Sequence, residues 1–417
     1  MTDAASNTTG RRGASVPFVA LAAVAALASC ARQAPLDAAG TVSAWMQNPD
    51  PALAAVADDL PGLDFSFYPV DTKWRTTPSA PVPDLAFVEW GSDLSDGFGA
   101  GTYADLDSFW KRIPAVGSIL RGAVAASTYA PMTADDRPRR AFLPAGVTAW
   151  GLYCNEAVLS GLDLPVPADW KAFVETVEAV GTAGGVPVSL GAAFGTPALA
   201  WLSFMDMRLN GAKAYLDLVA GDRSFDDPSF VRACEELARW RDSGWFGSGA
   251  GTREWTDAMA DVADGRAAFT LMSATALERR GGSPGVRFVP VPFSGRDRSG
   301  LATVWGFALS ASAEAPEAAL ALASAYVSAG GTGQAARPAR VGVMTAGAAD
   351  GQAPVPPDGS TVEAHGAVAA AYEIWAPQLD KALAPQAAYD SARAITMFFS
   401  GGMTGAELAR LLKGIRP

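Results

Sequence analysis

Short apolar runs alternate with amphipathic helical segments along most of this chain, and that alternation confines it to an α/β architecture. Thr41-Val42-Ser43-Ala44-Trp45 and Asp84-Leu85-Ala86-Phe87-Val88 read as strands, each leading into a polar or aromatic loop. Helical spacing is clearest in the middle of the chain. Asp169 is placed to cap a helix carrying Trp170, Phe173, Val174 and Val177 on one face, with Gly181 as its stop. Asp227-Pro228 opens another, with Phe230, Cys234, Leu237 and Trp240 facing inward. Glu317 to Ala329 is Ala-rich and ends at Gly330-Gly331, and Thr404 with Glu407 forms a capping box before Leu408, Leu411 and Leu412. The runs Val186 to Leu190 and Phe288 to Val291 read as strands between these helices.

Composition removes several kinds of function. With 49% apolar and 18% charged residues, the chain can bury large cores, and its 417 residues suggest two or three domains. A net charge of -11 argues against nucleic acid, which requires clustered Lys and Arg. The single histidine, His365, nearly excludes multi-His metal sites, Ser-His-Asp triads and HExxH zinc chemistry, and it reads as a surface residue. No GxxxxGK[ST], GxSxG or EF-hand loop occurs, so neither metal nor cofactor is expected. Glu89 and Asp93 could form a glycosidase pair, but 43 acidic residues make such a spacing expected by chance. Cys154 and Cys234 read as two separately buried free thiols.

The N-terminus reads as an export signal over residues 1–29. Arg11 and Arg12 precede the apolar stretch Val16–Ala28, which is shorter than the ~20 residues needed to span a bilayer. It ends in Leu27-Ala28-Ser29-Cys30, which resembles a bacterial lipobox. That resemblance implies cleavage before Cys30, lipidation of its thiol, a tether over 30–39, and an extracytoplasmic chain anchored to the cell membrane only through lipid.

Ordered motifs further along resemble the extracellular solute-binding proteins of sugar ABC transporters, the maltose-binding-protein-like group. Phe142-Leu143-Pro144 through Leu152-Tyr153-Cys154-Asn155-Glu156 is similar to the family's crossing strand, with Cys154 where a Tyr is usual. Gly161-Leu162-Asp163 with Pro167-Ala168-Asp169-Trp170, Phe225-Asp226-Asp227-Pro228 with Gly244-Trp245-Phe246, and Gly265-Arg266-Ala267-Ala268-Phe269 follow in the family's order. Trp305 to Val327 and Gly333-Gln334 through Gly342 complete the series. The N-terminal third matches more loosely. After the fourth motif the family commonly carries Gly-x-Trp, whose indole stacks on sugar; here Leu271-Met272-Ser273-Ala274-Thr275 lacks it.

The resemblance implies a two-lobed α/β fold of the periplasmic-binding-protein type, with ligand between lobes joined by crossing strands. Lobe one would comprise 40–141 and 271–303, and lobe two 145–268 and 306–417, with hinges at Phe142-Leu143-Pro144, Phe269-Thr270-Leu271 and Thr303-Val304-Trp305. A sugar needs aromatic rings for its C–H faces and planar polar groups for its hydroxyls. By position after strands, in loops or along the crossing strand, Trp45, Glu89, Trp90, Asp93, Thr148, Trp150, Trp201 and Trp305 are candidates for ligand contact. Tyr389 joins them as the counterpart of a late aromatic in the family. The implied function is a monomeric, non-catalytic receptor that captures a carbohydrate and delivers it to ABC permease subunits. A non-sugar solute, a sensory co-receptor and a secreted glycoside-active enzyme are the alternatives.

Overall fold

A computed structural model describes residues 40–46, 51–60, 63–68, 82–91, 101–110, 129–130, 139–140, 142–274, 276, 285–329, 344–345, 367–368 and 371–415. Cys30, Asp93 and His365 lie outside the described residues.

One mixed sheet organises the fold. Its main strands are β1 (Gly40–Met46), β2 (Leu63–Tyr68), β3 (Leu85–Glu89), β4 (Leu143–Asn155), β5 (Val186–Val188), β6 (Ala267–Ser273), β7 (Val286–Val289), β8 (Ser299–Leu309) and β9 (Ile374–Pro377). Seven of them lie in the order β2-β1-β3-β8-β4-β6-β5, while β7 pairs with β4 and β9 with β8. The two long strands join the halves of the sheet. β4 has 13 residues, about 40 Å at the usual rise. Its first half runs antiparallel to β8, with Thr303 opposite Thr148, and its second half runs antiparallel to β6 and β7. β8 changes partner along one edge, from β9 at Ser299–Ala302 to β3 at Trp305–Leu309.

The helices sort into two groups by what they cover. α1 (Pro51–Asp58) and α7 (Pro316–Ala329) pack together on the β1–β3 half. Here Phe87, Phe307 and Tyr326 form an aromatic cluster, with Phe87 and Phe307 centroids 4.9 Å apart. On the other half lie α2 (Trp170–Thr182), α3 (Thr196–Asn210), α4 (Ala212–Ala220), α5 (Pro228–Asp242), α6 (Trp255–Ala263), α8 (Leu379–Ala382), α9 (Pro385–Phe399) and α10 (Gly405–Ile415).

The caps follow the sequence. Asp169 accepts from the Ala172 amide at 2.8 Å, and Asp227 accepts from the Ser229 amide at 2.8 Å. The Thr404–Glu407 box closes in both directions. Cys154 and Cys234 are buried and free, and burial pushes the Cys154 thiol up to about 12.

β8 carries these pairings from one group of elements to the other. Residues 285–302 pack with the second group, through β7 on β4 and β9 on β8. Residues 305–329 pack with the first, through β8 on β3 and α7 on β1. The Phe269–Leu271 stretch stays inside the second group, between β4 and β5. Because β8 is continuous while its neighbour changes, no break in local sequence marks the change of partner.

Candidate functional site

Pairing register decides which side chains of the crossing strands share a face. Cross-strand partners point the same way, as do residues two apart on one strand. Glu89 lies opposite Trp305, Thr303 opposite Thr148, and Trp150 opposite Ser273. All six therefore line one face of the sheet, running from the first group across β8 and β4 into the second. Trp45 lies opposite Ala86, an odd number of residues from Glu89, so it occupies the other face, where it is buried.

At the second-group end of that face is a cavity of about 300 Å³, lined by Trp150, Gly191, Phe194, Thr196, Pro197, Trp255, Met272, Ser273 and Ala276. Its aromatic walls come from three separate elements. Trp150 is held in β4 by two bonds: its indole N–H donates to Thr303 Oγ1 at 3.4 Å, and its carbonyl accepts from the Tyr372 hydroxyl at 2.8 Å. Trp255 begins α6, and Phe194 stands 68% exposed in the loop before α3.

That loop has glycines for steric reasons. A Cβ on Gly191 would lie 2.1 Å from the Glu254 carbonyl oxygen, and one on Gly195, whose φ is +76°, would lie 2.6 Å from the Ala392 carbonyl oxygen. Close approach lets Ala192 and Ala193 donate to the Ala250 and Arg253 carbonyls at 2.8 and 3.0 Å. Trp255 and Phe194 are thus brought to the same cavity. Thr196 is fixed from behind by Gln378, whose amide donates to the Thr196 carbonyl at 2.7 Å.

The remaining candidates have other surroundings. Trp90 is buried against Phe142 at 5.6 Å, with its backbone N–H on the Val304 carbonyl at 2.7 Å. Trp201 is fully buried in the second group's aromatic core. It stacks on Phe173 at 6.2 Å and 9° and meets Phe246 edge-on. Trp305 packs beside Phe87 at 6.4 Å. Tyr389 is 61% exposed on α9 and is not among the cavity's lining residues. Thr148 is buried, with a hydroxyl that makes no hydrogen bond.

Glu89 forms an ion pair with Lys381 at 3.2 Å. Next to it, Asp380 is partly exposed as a residue, yet its Oδ1 is buried without a hydrogen-bond partner. Burial pushes the Asp380 carboxyl up to about 6, with Lys381 opposing and Glu89 adding to the rise.

Sequence reasoning missed Trp255 and Phe194. Both were signalled by position, Phe194 within the Gly-rich loop 191–195 and Trp255 just after the Gly-rich loop 247–251. They supply aromatic surface that the absent Gly-x-Trp does not.

None of the described lining residues carries a charge, and the polar side chains among them are the hydroxyls of Thr196 and Ser273 and the two indoles. Aromatic carbon with a few hydrogen-bonding groups suits an uncharged, hydroxylated ligand with apolar faces. Among the described residues no cluster of metal-ligating side chains occurs.

The sheet order, the two crossing strands and a cavity on their shared face define a two-lobed solute receptor of the periplasmic-binding-protein type. The profile of the bacterial extracellular solute-binding proteins matches residues 75–333, and the chain belongs to that family.

Solved structures with the same fold include the bacterial solute receptor AcbH, described as having an exclusive preference for β-D-galactopyranose. It is 17% identical, with a TM-score of 0.71 over 91% of this chain and 97% of that one. A probable secreted solute-binding lipoprotein from Streptomyces coelicolor is 15% identical, with a TM-score of 0.69 over 91% and 99%. The cyclic α-maltosyl-1,6-maltose binding protein from Arthrobacter globiformis is 15% identical, with a TM-score of 0.68 over 90% and 97%. No curated protein sequence is significantly similar to the chain.

Proposed function

We propose that this protein is a lipid-anchored receptor that captures a carbohydrate between its lobes and delivers it to an ABC importer, without catalysing any reaction on it. The observation that carries the reading is the cavity walled by Trp150, Trp255 and Phe194, whose described lining residues are uncharged, on the face that also holds Thr148, Thr303 and Glu89. Indole and phenyl faces would cover sugar C–H surfaces, while Thr196 and Ser273 would bond hydroxyls. The solved relatives whose descriptions name saccharides support the ligand class. Lobe one would comprise the described residues of 40–147 with 305–329, and lobe two those of 150–302 with 372–415. Ligand contacts from both lobes would favour the closed form that a permease reads, with the protein acting as a monomer.

Thermal melting with a panel of mono- and oligosaccharides tests this. A ligand at 100 times its Kd adds about 2.7 kcal/mol of stability, which at roughly 2–4 °C per kcal/mol is a shift of several degrees. Trp150→Ala and Trp255→Ala should remove most of that shift. A panel that stabilises nothing at millimolar concentration counts against a carbohydrate ligand. Anchoring through Cys30 has its own check: Cys30→Ala should leave a chain without lipid by intact mass, and a lipidated mature variant would overturn it.

A further inference from the structure

The segment from Tyr372 to Lys381 reaches three parts of the molecule. Tyr372 holds the Trp150 carbonyl, Gln378 holds the Thr196 carbonyl at the cavity rim, and Lys381 pairs with Glu89 at 3.2 Å. The last contact joins the two groups. Lys381 belongs to α8, which packs on α3, α4 and α9, whereas Glu89 ends β3 in the first group.

The junction has a defined geometry. β9 runs parallel to β8 along residues 299–302, and β3 runs antiparallel to it along 305–309 on the same edge. Their C-terminal ends therefore point at one another, and both chains leave the sheet where β8 passes from one group to the other. Glu89 and Lys381 stand on either side of that point. Their side chains are only 16% and 30% exposed, so water and salt screen the pair less than a surface ion pair.

We propose that the Glu89–Lys381 ion pair is a clasp that holds the two lobes together in the arrangement seen in this structure. A contact made in one conformation and hydrated in the other shifts the equilibrium by its differential free energy. Lys381 sits on the same short segment whose Tyr372 and Gln378 fix two walls of the cavity. The clasp and two walls of the cavity are thus tied to one segment. The proposal takes from the receptor reading only that the lobes move.

Small-angle scattering of the ligand-free protein tests it without any ligand. Glu89→Gln and Lys381→Met should each enlarge the radius of gyration, and the charge reversal E89K/K381E should restore most of the wild-type value. Lys381→Arg keeps the charge and should leave the radius unchanged. Equal radii for wild type, Glu89→Gln and Lys381→Met overturn the clasp. So does a charge reversal as expanded as the single variants, or a Lys381→Arg variant as expanded as Lys381→Met, since neither result fits an ionic contact. Melting curves on the same samples confirm that each variant is folded. Equal radii alongside an intact saccharide shift remove the clasp alone, whereas a missing saccharide shift removes the carbohydrate reading and leaves the scattering comparison valid.

Discussion

Tyr372 donates its hydroxyl hydrogen to the carbonyl of Trp150 at 2.8 Å, and thereby ties a late segment of the chain to the crossing strand at the cavity wall. The same oxygen accepts from the Val291 amide at 2.9 Å, so one buried phenol satisfies two backbone groups, one in β4 and one in the segment after β7. Burial pushes its pKa up to about 12, which keeps the donor proton in place across the physiological range.

Tyr372→Phe should therefore cost more than one ordinary hydrogen bond. It leaves a buried amide and a buried carbonyl without that partner, and each such group costs about 1–3 kcal/mol. The expected loss of ~2–4 kcal/mol is read by urea denaturation at pH 7. A loss below about 0.5 kcal/mol would mean that other groups satisfy Val291 and Trp150. Saccharide affinity should fall as well, because Trp150 would lose one of its two fixed points.

Trp201 and Trp150 should separate cleanly by mutation. Trp201→Ala empties the stack against Phe173 and Phe246 and should destabilise by ~3–5 kcal/mol, while the ligand-induced melting shift persists. If Trp201→Ala instead abolished the ligand shift and melted normally, the indole would belong to the binding surface.

The contrast between those two tryptophans shows how far sequence reasoning reaches. The caps at Asp169, Asp227 and Thr404 were legible because they are local, one side chain bonding a backbone amide two or three residues away. The α/β alternation and the ordered motifs were legible for the same reason. Trp201 was not, because α3 is buried along most of its length and has no polar face to show which way its indole turns. Strand alternation alone puts Trp150 and Thr148 on one face. That Ser273, Thr303, Trp305 and Glu89 share that face depends on register between distant strands. The packing of 305–329 on the β1–β3 half of the sheet depends on a change of partner along β8, which is equally non-local.

Gly191→Ala tests the loop that brings Phe194 and Trp255 together. The added Cβ would meet the Glu254 carbonyl oxygen at 2.1 Å, a contact with backbone that no rotamer change relieves. Loop 191–195 or the start of α6 must move, at a cost of about 1–3 kcal/mol. Trp255 should shift with it, so the expected outcome is a lower melting temperature together with weaker saccharide binding. Gly184→Ala is the control for strain alone: its φ is +80° but a Cβ there meets nothing within 4 Å, so it should lower stability without touching affinity. Equal affinities for wild type and Gly191→Ala would show that the loop does not set the cavity.

Asp380 should give the protein a contribution to stability that falls as pH rises, opposite to that of a salt-bridged carboxylate. Its carboxyl, pushed up to about 6 chiefly by burial, lies among Lys381, Glu89 and Tyr215. The folded state holds this proton at pH values where the unfolded chain, titrating near 3.8, has released it. Between about pH 4 and 6 the native state binds more protons, so the contribution falls as pH rises and is unfavourable above 6. Asp206, also raised by burial, acts in the same direction, while Asp227, Asp261 and Glu236 are lowered by their partners and contribute stability that is lost on further acidification. Asp380→Asn mimics the protonated form. It should match wild type near pH 4 and exceed it at pH 7.5, by an amount on the order of 1–3 kcal/mol. Chemical denaturation at the two pH values reads the difference directly. An Asp380→Asn variant no more stable than wild type at pH 7.5 would mean that the ionised carboxylate is well compensated by Lys381, and that the seam carries no buried proton at all.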